Sequence, residues 1–271
     1  MNTPSESTGS QPDQSPCVNV AFPLSGKQLP ADHGYLVYSA VSRAFPALHG
    51  VDWLGIELIS GFPSKPGLIT LDVSQAASLR SSGNSKFGTG NSKLSLRIPA
   101  EHYRNVLTLA GKRLDIGGHQ IRLGLPVACP LDPAPSLYAR VVTIKKFTEP
   151  EPFLEAVKRK LDSFGVKGRV ELPRDVAQTA SLSSYGNSKR EAENSKLKAG
   201  PRYRRRIVTI HGKSVVGFSV AVHELNDEDS LLLQAGAVKV VSPDDGSTKW
   251  QSIFSRRAMG CGAFNPIGSK D

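Results

Sequence analysis

A proline-rich connection at residues 126–135 divides this sequence into two parts that repeat one pattern of elements. Prolines stand at positions 126, 130, 133 and 135, a composition typical of a boundary between domains. Before the connection, the spacing of apolar residues predicts the order strand, helix, strand, strand, helix, strand. These elements are expected at 18–23, 30–45, 53–59, 94–98, 99–109 and 112–123, the last a hairpin, with a further sheet segment at 67–71.

The part that follows the connection predicts the same order again. Strands are expected at 137–144 and 169–172, a hairpin at 206–210 and 214–222, and helices at 150–164 and 227–235. Because this is the split strand-helix-strand order of ferredoxin-like folds, the chain is predicted to be an α+β protein of two tandem ferredoxin-like domains, related in fold to RRM domains. We place these domains at 17–126 and 136–267.

Segments of low sequence complexity interrupt both predicted domains. Residues 1–16 are mostly Ser, Pro, Gln and Thr and are predicted to be a disordered tail. Insertions at about 74–93 and 174–201 share the motifs ASLRSSGNSK and ASLSSYGNSK, and in each the Asn-Ser-Lys triplet recurs. We interpret them as expanded surface loops, which cost little free energy; the alternative is a pair of flexible loops that touch RNA.

The charge of the chain points to a partner rich in phosphate. A formal charge of +10 and a pI near 9.6 are typical of nucleic-acid binding, with an anionic membrane surface as the alternative. No apolar run approaches the roughly 20 residues that span a bilayer, and residues 1–15 lack a secretory signal. We therefore expect a cytoplasmic protein. The three cysteines, Cys17, Cys129 and Cys261, lack the spacing of a metal site.

Histidines beside the first predicted helix are the candidates for chemistry. Cleavage of RNA without a metal needs a base for the 2′-hydroxyl and an acid for the leaving oxygen, and histidine suits both near neutral pH. His33 and His49 lie at opposite ends of the helix, about 20 Å apart if it is straight, so at most one should reach a given phosphate. Tyr35 and Tyr38 share the face opposite the apolar one.

Two basic segments of the second part are candidates for RNA contact. Arg204, Arg205 and Arg206 enter a predicted strand and Lys213 follows in the hairpin turn; a charge run that protects an edge strand is the competing interpretation. The segment 255–266 reads SRRAMGCGAFNP, in which Arg256 and Arg257 precede Gly260 and Gly262. Glycines let backbone N–H groups approach phosphates, although a lone Gly-x-Gly is weak evidence, and the pattern of a dinucleotide site is absent.

Four segments together resemble the RAMP-type CRISPR repeat endoribonucleases, specifically the MYXAN subtype of the crRNA-processing enzyme. They are LPADHGYLVYSAVSRAFPALH from Leu29, SLYARVVTIKKFTEPEPFLEAVKRKL from Ser136, RRRIVTIHGKSVVGFSVAVHEL from Arg204, and RRAMGCGAF from Arg256. The resemblance spans nearly everything from Val18 to Pro266 outside the two insertions. It departs from the family pattern around residues 236–246, where Pro243-Asp244-Asp245 interrupts the glycines.

The resemblance implies a function and a set of site residues. It implies cleavage of precursor CRISPR RNA within each repeat by 2′-hydroxyl attack, which leaves a 2′,3′-cyclic phosphate, with no metal and no cofactor. His33 or His49 would be the base, and Tyr35 or Tyr38 would orient the phosphate or a proton. The glycine-rich segment at 255–266 would hold the repeat RNA, and other CRISPR effector subunits are further candidate partners.

Two other functions remain open at this point. The same fold could serve as a non-catalytic RNA-binding subunit of a CRISPR effector complex, which the fold alone does not exclude. A generic tandem RRM-like protein fits less well, because the aromatic RNA-binding signature of RRM domains is absent from the sequence.

Overall fold

The computed structural model describes residues 16–71, 92–174, 203–242 and 245–267, so the predicted tail and most of both insertions lie outside the described residues. The first part contains helices α1 (Gly34–Ala44) and α2 (Tyr103–Leu107). Its strands are β1 (Cys17–Ser25), β2 (Gln28–Pro30), β3 (Gly55–Ile56), β4 (Phe62–Lys65), β5 (Leu68–Thr70), β6 (Lys93–Pro99), β7 (Arg113–Ile116), β8 (His119–Leu123) and β9 (Val127–Pro130).

The second part contains helices α3 (Pro150–Asp162) and α4 (Asp227–Ala235). Its strands are β10 (Ser136–Val142), β11 (Arg169–Glu171), β12 (Arg205–Ile210), β13 (Lys213–His223), β14 (Ala237–Val241), β15 (Thr248–Ser252) and β16 (Phe264–Pro266). The helix at 227–235 is the element that the sequence predicted best, because Asn226 caps it by accepting a hydrogen bond from the Asp229 N–H and Gly236 ends it with a left-handed φ of 64°.

The two main sheets share one topology. The first has the order β3-β6-β1-β8-β7, with β9 also paired to β1, and the second has the order β11-β13-β10-β16, with β12 beside β13. All of these pairings are antiparallel. The repeated pattern uses four strands of each part: β1, β3, β6 and β8 in the first, and β10, β11, β13 and β16 in the second. Counted in this way, both sheets have the order second, third, first, fourth, which is the order of a ferredoxin-like fold. The predicted α+β class with two tandem ferredoxin-like units is therefore confirmed.

Each part buries its own apolar cluster. In the first, Phe22, Val37, Val41 and Leu96 pack between the sheet and α1, and in the second, Phe153, Val157, Phe218 and Phe264 pack between the sheet and α3. The apolar positions of α1 and α3 recur at helical spacing, so one face of each helix enters its core. None of the helices among the described residues is long and apolar enough to cross a membrane.

Some boundaries differ from the prediction. Helix α1 begins at Gly34 instead of residue 30, because residues 28–30 form β2 and pair with β5. The helix expected at 99–109 begins as a 3₁₀ turn and is α-helical for five residues. Four of the ten residues of the proline-rich connection form β9, which pairs with β1 at Val18–Ala21. We therefore propose that the connection between the domains is residues 131–135.

A buried arginine joins the two parts. Arg97 on β6 is only 2% exposed and forms an ion pair with Glu57 of its own part. The same guanidinium donates to the second part, to the Gln234 carbonyl at 2.9 Å, the Phe264 carbonyl at 2.7 Å and Asn265 Oδ1 at 2.8 Å. This side chain therefore fixes the position of one ferredoxin-like unit against the other.

Candidate nucleic-acid interface and active site

His33 lies inside the protein. Its side chain is 2% exposed, its Nδ1 lies 2.9 Å from the Pro30 carbonyl, and its Nε2 accepts the Ile59 N–H at 2.9 Å. Because a carbonyl only accepts and an amide only donates, the ring is neutral with its proton on Nδ1. Burial lowers its pKa, which the charge of Arg140 reinforces. Both nitrogens are occupied by backbone groups, so His33 has no position free for a substrate proton.

His49 is exposed and has a tyrosine partner. Helix α1 ends before Pro46, a 3₁₀ turn at Pro46–Leu48 follows, and Leu48 anchors that turn in the core. The next residue, His49, places Nδ1 3.2 Å from the Tyr38 hydroxyl, which also accepts the Gly50 N–H at 3.0 Å. The two rings stack at 5.8 Å between centroids and 25°. Of the two predicted imidazoles, His49 is thus the one presented to solvent.

A second histidine–tyrosine pair joins the two parts, and it was not predicted from the sequence. The Tyr35 hydroxyl lies 3.0 Å from Nδ1 of His211, with ring centroids 4.6 Å apart. His211 occupies the turn between β12 and β13. The neighbouring Thr209 donates its N–H to Asp32 Oδ2 at 2.6 Å, which holds this hairpin against the start of α1. The signal in the sequence was a histidine before the turn glycine, where Asn or Asp is usual.

The hairpin of β12 and β13 carries basic side chains along its length, from Lys213 next to the turn to the arginines at the other end of β12. Arg205, Arg206 and Lys213 are exposed, and Arg204 is half-buried. Desolvation, and then the charge of Arg206, lower the pKa of Arg140, whose Nη1 donates to the Leu58 carbonyl at 3.0 Å. Arg140 was not among the predicted residues, and it adds a further positive charge to this surface.

The glycine-rich segment is packed inward. Gly260 and Gly262 are buried, with φ of 79° and 68°, and their N–H groups donate to the carbonyls of Arg257 at 3.1 Å and Val141 at 2.8 Å. A Cβ at 262 would lie 2.7 Å from Phe254 Cβ. These glycines allow close packing, and their contact with RNA stays a prediction.

The two arginines of this segment differ in their burial and in their hydrogen-bond partners. Arg257 is 4% exposed, donates to the Ala235 carbonyl, and fits against Gly55 and Gly236, where a Cβ would lie 2.8 Å and 2.7 Å from its guanidinium. Burial lowers its pKa to about 9. Arg257 thus packs inside the protein, and its contact with RNA stays a prediction. Arg256 is half-buried and donates from Nη1 to Thr143 Oγ1 at 3.3 Å.

A basic groove of about 720 Å³ lies beside Arg256. Its walls are the loop after β10, the exposed side of α3 and the segment that begins with Trp250. Four cations and one carboxylate, that of Asp52, line the groove. The cations and the aromatic rings among the lining residues are Lys145, Arg159, Lys160, Arg256, Phe147, Trp250 and Phe254. This combination of positive charge and aromatic surface is typical of single-stranded nucleic-acid binding. Arg159 and Lys160 are not among the residues predicted from the sequence to contact RNA.

The cysteines occupy three separate environments. Cys17 is half-buried, Cys129 is exposed and Cys261 is buried, and all three are free thiols. Burial raises the pKa of Cys261 to about 11, so this thiol is held protonated in the core. Within the described ranges, no three His, Cys, Asp or Glu side chains form a group that could hold a metal ion.

Known proteins resemble this chain over nearly its whole length. A family model described as "Cas6 Crispr" matches residues 18–269. The CRISPR-associated endonuclease Cas6 of Myxococcus xanthus (strain DK1622) is 32% identical over 251 residues, which cover 93% of this chain and 82% of that relative. A solved structure of a CRISPR-associated protein Cas6 aligns with a TM-score of 0.51 at 11% identity, covering 93% of this chain and 99% of its own.

A second solved structure, from a Cas6-related gene of Pyrococcus furiosus, also aligns with a TM-score of 0.51. Its identity is 10%, and the alignment covers 94% of this chain and 99% of that one. At such low identity the two solved structures bear on the fold alone, and they support the pair of ferredoxin-like units described above.

Proposed function

The chain belongs to the Cas6 family, and from that premise we propose that it is an endoribonuclease that cleaves precursor CRISPR RNA within the repeat. The Myxococcus relative is named an endonuclease, and the resemblance found in the sequence is confirmed by the family match. The observation that carries the proposal is the exposed imidazole of His49, held by Tyr38 at the end of α1. We further propose that the cleavage needs no metal.

The proposed reaction is an intramolecular transfer at phosphorus. The ribose 2′-oxygen attacks the adjacent phosphate, a P–O2′ bond forms, and the P–O5′ bond breaks. One proton leaves the 2′-hydroxyl and one proton is delivered to the 5′-oxygen, which gives a 2′,3′-cyclic phosphate and a 5′-hydroxyl. The protein must supply a base, an acid and positive charge near the phosphate.

We assign the base to His49. Its Nδ1–H can donate to the Tyr38 hydroxyl oxygen, which has a second lone pair for the Gly50 N–H. That arrangement leaves the lone pair of Nε2 directed to solvent and free to accept the 2′-hydroxyl proton. Tyr38 is buried and held by Gly50, so it fixes the orientation of the imidazole. His33, with both nitrogens occupied, is not part of this proposal.

The basic side chains define the proposed path of the RNA. Arg205, Arg206 and Lys213 lie on the hairpin that contacts α1, and Arg256 lines the basic groove. Arginine suits this role because its planar fork pairs with two phosphate oxygens at once. We propose that these four residues contact phosphates. Arg257, Gly260 and Gly262 are buried, and we propose that their packing stabilises the segment that carries Arg256.

The experiment that tests the chemistry uses the substrate. A repeat RNA with a single 2′-deoxy nucleotide at the cleavage position is expected to bind as well as the all-ribose RNA and to remain uncut, since the attacking oxygen is missing. Addition of a metal chelator should leave the cleavage rate of the ordinary RNA unchanged. Gel analysis of labelled RNA measures both results. Cleavage of the deoxy substrate, or loss of activity with the chelator, would contradict the proposed mechanism.

The groove yields a prediction about salt. Lys158 and Arg159 are neighbours on α3, but Lys158 pairs with Glu155 at 3.1 Å, whereas Arg159 lines the groove. Arg159→Ala is expected to weaken RNA binding and to lower the slope of log Kd against log salt by about 0.7, the loss of one phosphate contact to a single strand. The matched variant Lys158→Ala should leave the slope unchanged. Equal slopes for Arg159→Ala and the parent protein would remove the groove from the RNA path.

A further inference from the structure

The six histidines of the chain differ in what their rings contact, and all six lie in the described residues. His33 is buried among backbone groups. His102 stacks on Trp53 at 4.1 Å, and His223 lies between Ser136 at 2.9 Å and Glu171 at 3.2 Å. His119 begins β8 after a glycine turn. The two that remain, His49 and His211, are both exposed, and each has Nδ1 beside a tyrosine hydroxyl of α1.

His211 adopts a backbone conformation that its side chain does not favour. Its φ is 49° and that of Gly212 is 72°, so both central residues of the two-residue turn are left-handed. Hairpin turns of this kind prefer Asn-Gly or Asp-Gly, and a non-glycine residue in the left-handed region is uncommon unless it is Asn, Asp or His. Strain of this sort is found preferentially at functional sites. The turn therefore carries an imidazole in a place where asparagine would fit at least as well.

The turn places that imidazole on α1. Tyr35 and Tyr38 are three residues apart, so they lie on adjacent turns and on one side of the helix, with Cβ atoms about 5–6 Å apart. Tyr38 holds His49, and Tyr35 holds His211 at 3.0 Å. The hydrogen bond between Thr209 and Asp32 fixes the hairpin at the helix start. Two exposed imidazoles, one from each part of the chain, are thus held by one helix.

We infer that His211 is a catalytic residue, the acid that protonates the leaving 5′-oxygen. The inference rests on the proposed cleavage, in which His49 is the base. As the P–O5′ bond breaks, Nε2 of the protonated His211 gives its proton to the 5′-oxygen, and the neutral ring then takes a proton from water. Tyr35, at Nδ1, orients the ring so that Nε2 faces the RNA. Lys213, which directly follows the turn on the same hairpin, supplies positive charge near the phosphate.

The test uses a substitution that the turn accepts. His211→Asn keeps a residue suited to the left-handed conformation and removes the titratable ring. We expect its single-turnover cleavage rate to fall by about 10²–10⁴-fold, the usual contribution of a positioned acid, with RNA affinity unchanged. His119→Asn, next to the turn between β7 and β8, is the control and should cleave at the parent rate. Tyr35→Phe is a second variant, which keeps the ring and should lose part of the same activity.

A sulfur leaving group separates an acid from a structural residue. When the bridging 5′-oxygen of the RNA is replaced by sulfur, the leaving thiolate needs no proton. The His211→Asn variant should then cleave within about tenfold of the parent protein, whereas His49→Ala should remain as impaired as on the oxygen substrate. A deficit of His211→Asn that persists with sulfur, or no deficit with oxygen, overturns the inference. If the parent protein itself fails to cut repeat RNA, the proposed function fails instead.

Discussion

Replacement of His49 by alanine is expected to reduce the single-turnover rate of repeat cleavage by about 10²–10⁴-fold, the range typical of a lost general base. The dissociation constant for the RNA should stay within a factor of about two, because His49 is an exposed side chain whose hydrogen-bond partner is Tyr38 and the proposed phosphate contacts are arginines and lysines. Cleavage of labelled repeat RNA at saturating protein and a binding titration with the uncut deoxy RNA measure the two quantities.

Two further substitutions make this result specific. Tyr38→Phe keeps the buried ring but removes the hydroxyl that contacts His49, so a smaller loss of rate is expected, again without loss of affinity. His33→Ala should act on stability. It leaves the Ile59 N–H unpaired in the core, so the midpoint of unfolding should fall. If His49→Ala cleaves at the parent rate, the assignment of the base is wrong, and if the parent protein binds without cutting, the chain holds RNA without processing it.

The order of the elements could be predicted from the sequence because it depends on local patterns. The apolar spacing of α1 and α3 and the caps of α4 are short-range signals, and each appears in the structure. The beginning of α1 could not be predicted in the same way. Residues 28–30 have the composition of a helix start, but they pair with a strand 40 residues later, and that tertiary contact decides their conformation.

The site was predictable only where it lies close together in sequence. Tyr38 and His49 are 11 residues apart, and the helix between them makes their proximity foreseeable. Tyr35 and His211 are 176 residues apart, so their contact depends on how the two ferredoxin-like units meet. The same holds for Arg257: from the sequence it resembles a cation for RNA, and only the assembled fold shows that Gly55 and Gly236 leave space for its buried guanidinium.

Arg97 is expected to show the largest effect on stability, because it is a buried cation that pairs with a carboxylate of one unit and donates three hydrogen bonds to the other. Arg97→Ala should lower the free energy of unfolding by about 3–5 kcal/mol, the usual cost of leaving one charge of a buried pair uncompensated. Glu57 would lose its partner, and the carbonyls of Gln234 and Phe264 would lose a donor. Urea unfolding followed by tryptophan fluorescence and circular dichroism measures the loss.

Two further variants test whether the loss of stability in Arg97→Ala comes from an unpaired buried charge or from lost contacts alone. Arg122, exposed on strand β8 of the same sheet, should tolerate alanine with a change within about 0.5 kcal/mol. Combining Arg97→Met with Glu57→Met removes both charges and should recover the part of the loss that comes from the unpaired carboxylate, while the part that comes from the Gln234 and Phe264 carbonyls should persist. If Arg97→Ala costs no more than Arg122→Ala, the two units are held together by their other contacts and not by this arginine.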